Sequence, residues 1–174
     1  MQKGFSLIEM LVALSILSVV VLVLIQSFVT TTRGSVKTEI SSDVKTSGDF
    51  ALRMMENTIR STTGIASCTG SSTKTLTFDN PDGTSTTYAC SYDAGNAISR
   101  IAGTTAGVLG YLTPVSVTLG GNSCAASTLA FICTSTPGLP DVVQINFSLS
   151  QRGVPPDKFQ QAKISFQTTV NVRN

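Results

Sequence analysis

Between Lys3 and Arg33 the chain carries a single charge, Glu9, set in an apolar stretch that runs from Phe5 to Ile25. As a helix, that stretch is about 30 Å long, enough to cross the hydrocarbon core of a bilayer. Apart from Ser15 and Ser18, residues Leu11 to Ile25 are apolar on every side, the pattern of a membrane span rather than of a surface helix. A cleavable secretory signal has a shorter apolar core followed by a small-x-small site, and this run has neither feature. A carboxylate near the edge of a span costs roughly 2.5–3.5 kcal/mol on insertion scales. Glu9 therefore asks for a function and for a positive partner.

The residues in front of the run answer both demands. Lys3-Gly4-Phe5-Ser6-Leu7-Ile8-Glu9 resembles the processing site of type IV pilins and the related pseudopilins. The resemblance covers roughly residues 1–30. It implies a leader of residues 1–4 cut after Gly4 by a membrane-embedded prepilin peptidase, and N-methylation of the new terminal residue, Phe5. It further implies assembly, in which Glu9 lies near the Phe5 amine of a neighbouring subunit. Inside an apolar filament such a pair is weakly screened, and an unpaired carboxylate is strongly penalised, so the charge acts as a register device. The partners implied are other subunits of the filament, the peptidase and methyltransferase, an inner-membrane assembly platform, and the membrane itself before assembly. The implied location is the cytoplasmic membrane first, then an extracellular pilus or a periplasmic or cell-wall filament. Many filament-forming pilins carry a proline about two-thirds along this segment. Here that neighbourhood reads Leu24-Ile25-Gln26-Ser27-Phe28, which predicts a helix without a fixed kink.

Beyond Phe28 the pattern becomes amphipathic. Val36, Ile40, Val44, Ala51, Met55 and Ile59 form a stripe with Ser47 in its gap, and Phe50 and Met54 are expected to widen it. Charged residues from Lys37 to Glu56 take the other faces. A single helix from about Phe5 to Ser61 is predicted, roughly 85 Å long, with Gly64 as its C-terminal cap. A break near Thr30–Gly34 is an alternative, because Thr and Gly are weak helix formers.

The length of 174 residues fits one domain plus an appendage. With 12 basic and 10 acidic residues there is no broad field for nucleic acid. The absence of histidine removes Ser-His-Asp and Cys-His catalysis and most zinc sites. Cys68, Cys90, Cys124 and Cys133 form no C-x-x-C pair, which argues against a metal or thioredoxin-like site. An even count behind an export segment favours two disulfides, with buried free thiols as the alternative. Of the three possible pairings, Cys68–Cys90 and Cys124–Cys133 close the shortest loops and are the ones expected.

From Thr73 onward short alternating segments are separated by turn residues. Lys74–Phe78 and Ser85–Cys90 flank Asp79-Asn80-Pro81-Asp82-Gly83, a strong hairpin signal. Further strands are predicted at Ala97–Ile101, Val115–Leu119, Thr128–Cys133, Val142–Leu149 and Lys163–Val172, the last two joined antiparallel through Arg152-Gly153-Val154-Pro155-Pro156. The expected fold is α+β, with a long helix whose second half packs on one antiparallel sheet of four to six strands. The expected organisation is a leader (1–4), a transmembrane and filament-core helix (5–28), an amphipathic helix (29–63) and a disulfide-stapled β domain (64–174).

Other residues have ordinary readings. Asp79, Asn80 and Asp82 fail calcium-loop spacing because Pro81 occupies a ligand position, and a solvated turn is expected. Asn146-Phe147-Ser148 is a glycosylation sequon placed inside a strand. Arg100, Arg152, Lys158 and Lys163 are scattered, so contact with nucleic acid stays undecided. Tyr88, Tyr92 and Tyr111 suit either an adhesive face or the core edge. The function expected is that of a structural, non-enzymatic prepilin with no cofactor and no metal, polymerising into a type IV pilus or related filament. A type II secretion pseudopilin, a tip-located adhesion or DNA-binding subunit, and an anchored domain that never polymerises are the alternatives.

Overall fold

The computed structural model describes residues 6–66, 68, 70–121, 123–153 and 161–172. One helix, α1, runs unbroken from Leu7 to Arg60. The expected weak point at Thr30–Gly34 is helical, and Thr30, Thr31 and Thr32 each turn a hydroxyl back onto the carbonyl four residues earlier at 2.9 Å. This back-bonding satisfies the hydroxyls without leaving the helix. The helix ends at Ser61, not at a Gly64 cap. Gly64 instead opens the first strand, where Gly64–Ile65 pairs with Asp79 and Phe78.

The strands are β1 (Gly64–Ile65), β2 (Ser72–Thr73), β3 (Thr75–Asp79), β4 (Ser85–Asp93), β5 (Ile98–Thr105), β6 (Val108–Tyr111), β7 (Val117–Thr118), β8 (Ala130–Thr134), β9 (Val142–Gln151) and β10 (Lys163–Asn171). The expectation of a single sheet is corrected, since the strands form two antiparallel sheets. One has the order β1-β3-β4-β5-β6, and the other β10-β9-β8-β2, with β7 pairing the far end of β9. The β3–β4 hairpin forms at the expected turn, where Gly83 takes φ 81°. β6 had no strong turn signal in the sequence. It pairs with β5 because Ala106 and Gly107 adopt φ 49° and 81°, the left-handed pair that a two-residue hairpin needs. The segment expected as Val115–Leu119 shortens to Val117–Thr118, with Val115 left exposed.

The core lies where α1 crosses the second sheet. Val44, Ala51, Met55 and Ile59 are fully buried and share one cluster with Val143, Ile145, Phe147 and Leu149 of β9 and Phe166 and Val170 of β10. Helix and sheet come close at Gly48, where a Cβ would stand 2.1 Å from the Phe166 ring. That ring stacks on Phe147 at 5.1 Å. Leu76, Phe78 and Tyr88 bring the first sheet into the same core, and the Phe78 and Tyr88 rings meet at 5.3 Å. Burial pushes the Tyr88 phenol up, tempered by its hydrogen bond with Thr58 on the helix. Thr168 of β10 donates to the Glu56 carboxylate and adds a polar clasp between helix and sheet.

Both disulfides form, with pairings other than those expected. Cys68 bonds Cys133, 65 residues away, and Cys90 bonds Cys124, 34 residues away. Short loop length was the wrong guide here. Cys68 leads into β2, which pairs with β8, the strand that carries Cys133, so sheet pairing sets which sulfurs meet. Cys90–Cys124 ties β4 of the first sheet to the turn preceding β8.

Candidate assembly site

Glu9 lies in the first turn of α1, which starts after Ser6; the Ser6 carbonyl accepts the Glu9 amide at 3.0 Å. A carboxylate there faces the positive end of the helix dipole, which favours it modestly. Gly4 and Phe5, the expected cleavage and methylation residues, lie outside the described residues, as does Lys158.

Around Glu9 the helix is bare. Every side chain from Ser6 to Ser35 is exposed. The helix is long and apolar enough to cross a membrane, with a window of mean hydropathy 2.9 that buries nothing against the rest of the chain. Leu7 is 79 % exposed and Phe28 74 %, and the apolar surface continues past Ile25 to Val29. A buried Val, Leu or Ile side chain is stabilised by about 1.5–3 kcal/mol relative to an exposed one. Summed along this half-helix the deficit is on the order of tens of kcal/mol, far beyond the stability of a small domain. Lipid or other apolar helices must therefore cover this surface. The polar groups on it are compatible with such a cover. Ser15 donates to the Val12 carbonyl and Ser18 to the Ser15 carbonyl, both at 2.8 Å, so neither hydroxyl needs water. Glu9 is the one charged group on this surface, and its carboxylate has no partner within the described residues.

Farther along α1, Phe50 and Met54 do not join the buried stripe as expected; they are 55 % and 44 % exposed. At about 100° per residue Phe50 lies across the helix from Ile59 and Met54 about a quarter-turn from Met55, so both sit off the face that meets the sheets.

Several of the remaining candidates are used inside the fold, and others are left at the surface. Asn80 donates to Thr84 and Thr86, Thr84 donates to Asp82, and Ser85 donates to Asp79, so these side chains brace the β3–β4 turn. Those bonds from Thr84 hold the Asp82 carboxyl below its ordinary range. Asn146 sits mid-way along β9, opposite Gln167. Tyr88 is buried, Tyr92 is largely exposed, and the Tyr111 ring lies 3.9 Å from the Arg100 guanidinium carbon. Arg100 pairs with Asp93 at 3.1 Å and Arg152 reaches the Asn96 carbonyl at 2.9 Å, while Lys163 is exposed at the start of β10. Bonds from Asn96, and after them Arg100, hold Asp93 below the usual carboxylate range. Both arginines therefore brace the same β4–β5 turn rather than forming a free basic patch.

No curated protein and no solved structure matches the chain. Residues 1–25 match the family model of the prokaryotic N-terminal methylation motif. The chain thus carries the type IV prepilin signature over the same segment in which Glu9 stands alone on an uncovered apolar helix.

Proposed function

We propose that this chain is a structural prepilin, cut after Gly4, methylated on Phe5, and polymerised through its N-terminal helix into a type IV pilus or related filament. On this reading residues 1–4 are the leader, 5–28 the membrane and filament-core segment, 29–63 the helix of the folded domain, and 64–174 its disulfide-stapled sheets. The observation that carries it is the lone carboxylate of Glu9 on a helix whose apolar side chains have no cover from their own chain. Cutting after Gly4 creates an α-amino group on Phe5. That amine, on a neighbouring subunit, supplies the counter-charge. In a water-poor helix bundle an unpaired carboxylate is strongly unfavourable and a paired one is tolerated, so bundling is favoured at the offset that brings the two together. The lipid bilayer covers the same surface before assembly, and neighbouring helices take over afterwards.

Glu9→Val tests this directly. Membrane insertion should persist or improve, while incorporation into filaments drops by tenfold or more on immunoblots of sheared surface fibres. Normal incorporation of the variant would sink the register role. Gly4→Asp should leave the uncut precursor in the membrane, and mass spectrometry of purified fibres should find a chain that begins with methylated Phe5. Immunogold labelling then assigns the role: label along long fibres marks a main subunit, label at tips a minor one. Loss of protein export with fibres intact marks a secretion pseudopilin.

A further inference from the structure

The charged residues of α1 beyond Glu9 fall into two groups with opposite habits. Lys45, Asp49, Arg53, Glu56 and Arg60 follow one another at three or four residues with alternating sign, so each has an opposite charge beside it on its own helix. Nearer the bare half, Arg33 and Lys37 stand four residues apart with the same sign, and Glu39 and Asp43 do likewise. Neighbours of like sign at that spacing repel. All four are exposed, and none pairs within its own chain: the one ion pair among the described residues joins Arg100 to Asp93. The helix thus sets out a basic row and an acidic row, both unanswered, where its uncovered half meets the domain. Arg33 to Glu39 and Lys37 to Asp43 are the same step of six residues, a rise of about 9 Å and a turn of about 120° around the axis.

We propose that these rows are a contact between copies of this chain, in which Arg33 and Lys37 of one subunit meet Glu39 and Asp43 of the next, shifted along the helix by about 9 Å. The proposal rests on the assembly reading and adds to it a second register contact, made by side chains alone. A shared membrane holds neighbouring helices parallel. In parallel helices one shift satisfies both pairs at once, because both span six residues. The rows lie on different flanks, so a copy that offers its basic row to one neighbour keeps its acidic row for another. Such a contact is heterologous and repeats without closing on a pair, as a filament requires and a two-fold dimer does not. Salt sharpens the choice of offset. Screening acts over about 8 Å at physiological ionic strength, so rows left about 9 Å out of step hardly attract. Exposed pairs contribute little each. Their part is to disfavour wrong offsets, while the uncovered apolar surface supplies the drive to bundle.

The test reads incorporation of the full chain into sheared surface fibres, with its unfolding midpoint as a check on folding. One row is reversed at a time, by Arg33→Glu with Lys37→Glu or by Glu39→Lys with Asp43→Lys. Either reversal should cut incorporation about fivefold or more, because two attractions become repulsions, and should leave the midpoint unchanged, because all four side chains are exposed. The four substitutions together restore the match with its direction inverted and should return incorporation to within about twofold of the parent. Cross-linking reads the offset itself, since the four native cysteines are already paired. In fibres that mix a Lys37→Cys chain with a tagged Asp43→Cys chain, a short bismaleimide should join the two. In fibres whose only added thiol is Lys37→Cys, it should not. Tolerance of either reversed row, failure of the fourfold swap to rescue, or absence of the mixed cross-link would overturn the proposal. Where the parent chain enters fibres and the reversals are tolerated, this contact falls and the assembly reading stands. A parent chain that enters no fibres removes both.

Discussion

α1 is one continuous helix in two environments. From Leu7 to Val29 its side chains are uncovered and, apart from Glu9, Ser15, Ser18, Gln26 and Ser27, apolar; from Val44 to Ile59 a buried stripe lies on the sheets while the opposite side faces water. The backbone is the same in both halves, so the difference resides in the side chains. Where apolar residues recur on one side only, the chain can cover them with its own strands. Where they run all round, no single sheet can cover them, and the cover must come from lipid or from other helices. The packed half therefore controls the stability of the domain, and the bare half is the surface left for lipid or other helices to cover.

The comparison can be broken at the packed half, and the largest effect is expected where the sheets are stapled. Replacing Cys68 and Cys133 together by Ser opens a 65-residue loop. On the chain-entropy account this costs about 4 kcal/mol, measurable as a lower urea midpoint of the full chain. Met55→Ala, at a fully buried helix position, should cost roughly 2–5 kcal/mol in the same assay. Gly48→Ala is smaller, since a gain in helix propensity offsets part of the clash with the Phe166 ring. A net loss of roughly 1–2 kcal/mol is expected, and a stabilised variant would show that helix and sheet lie farther apart than described. Phe50→Ser, on the exposed flank, should stay within about 0.5 kcal/mol of the parent. Glu9→Val should not move the unfolding midpoint of the domain at all, even where it reduces incorporation into fibres as proposed above. If it lowered domain stability, the two halves would be coupled, contrary to the contrast drawn above.

A weaker pH effect belongs to the domain alone. Asp93 is held below its ordinary carboxylate pKa of 3.8 by Asn96 and then by Arg100. A depressed folded-state value contributes stability above the unfolded pKa and loses it as pH falls through the folded one. Amide exchange at the β4–β5 turn should therefore quicken only below about pH 4.

Much of this was legible from residue order. The full-length helix follows from an unbroken run joined to a stripe at helical spacing. The hairpin at Asp79–Gly83 follows from turn chemistry, and β9 from its clean alternation of buried Val143, Ile145, Phe147 and Leu149. Phe50 and Met54 were misplaced because spacing alone does not say how wide a stripe the sheets cover. β6 was missed because Ala106-Gly107 is a weak turn signal whose left-handed geometry shows only in the backbone.

The sequence by itself determined the apolar span, its single charge at Glu9, the prepilin signature around it, and the amphipathic continuation. These are local patterns, readable from the period and polarity of neighbouring residues. Only the tertiary structure decided that the strands divide into two sheets, and that Cys68 meets Cys133 and Cys90 meets Cys124. Those outcomes depend on which distant segments pair, and pairing is set by the shared core rather than by any property of the segments taken one at a time.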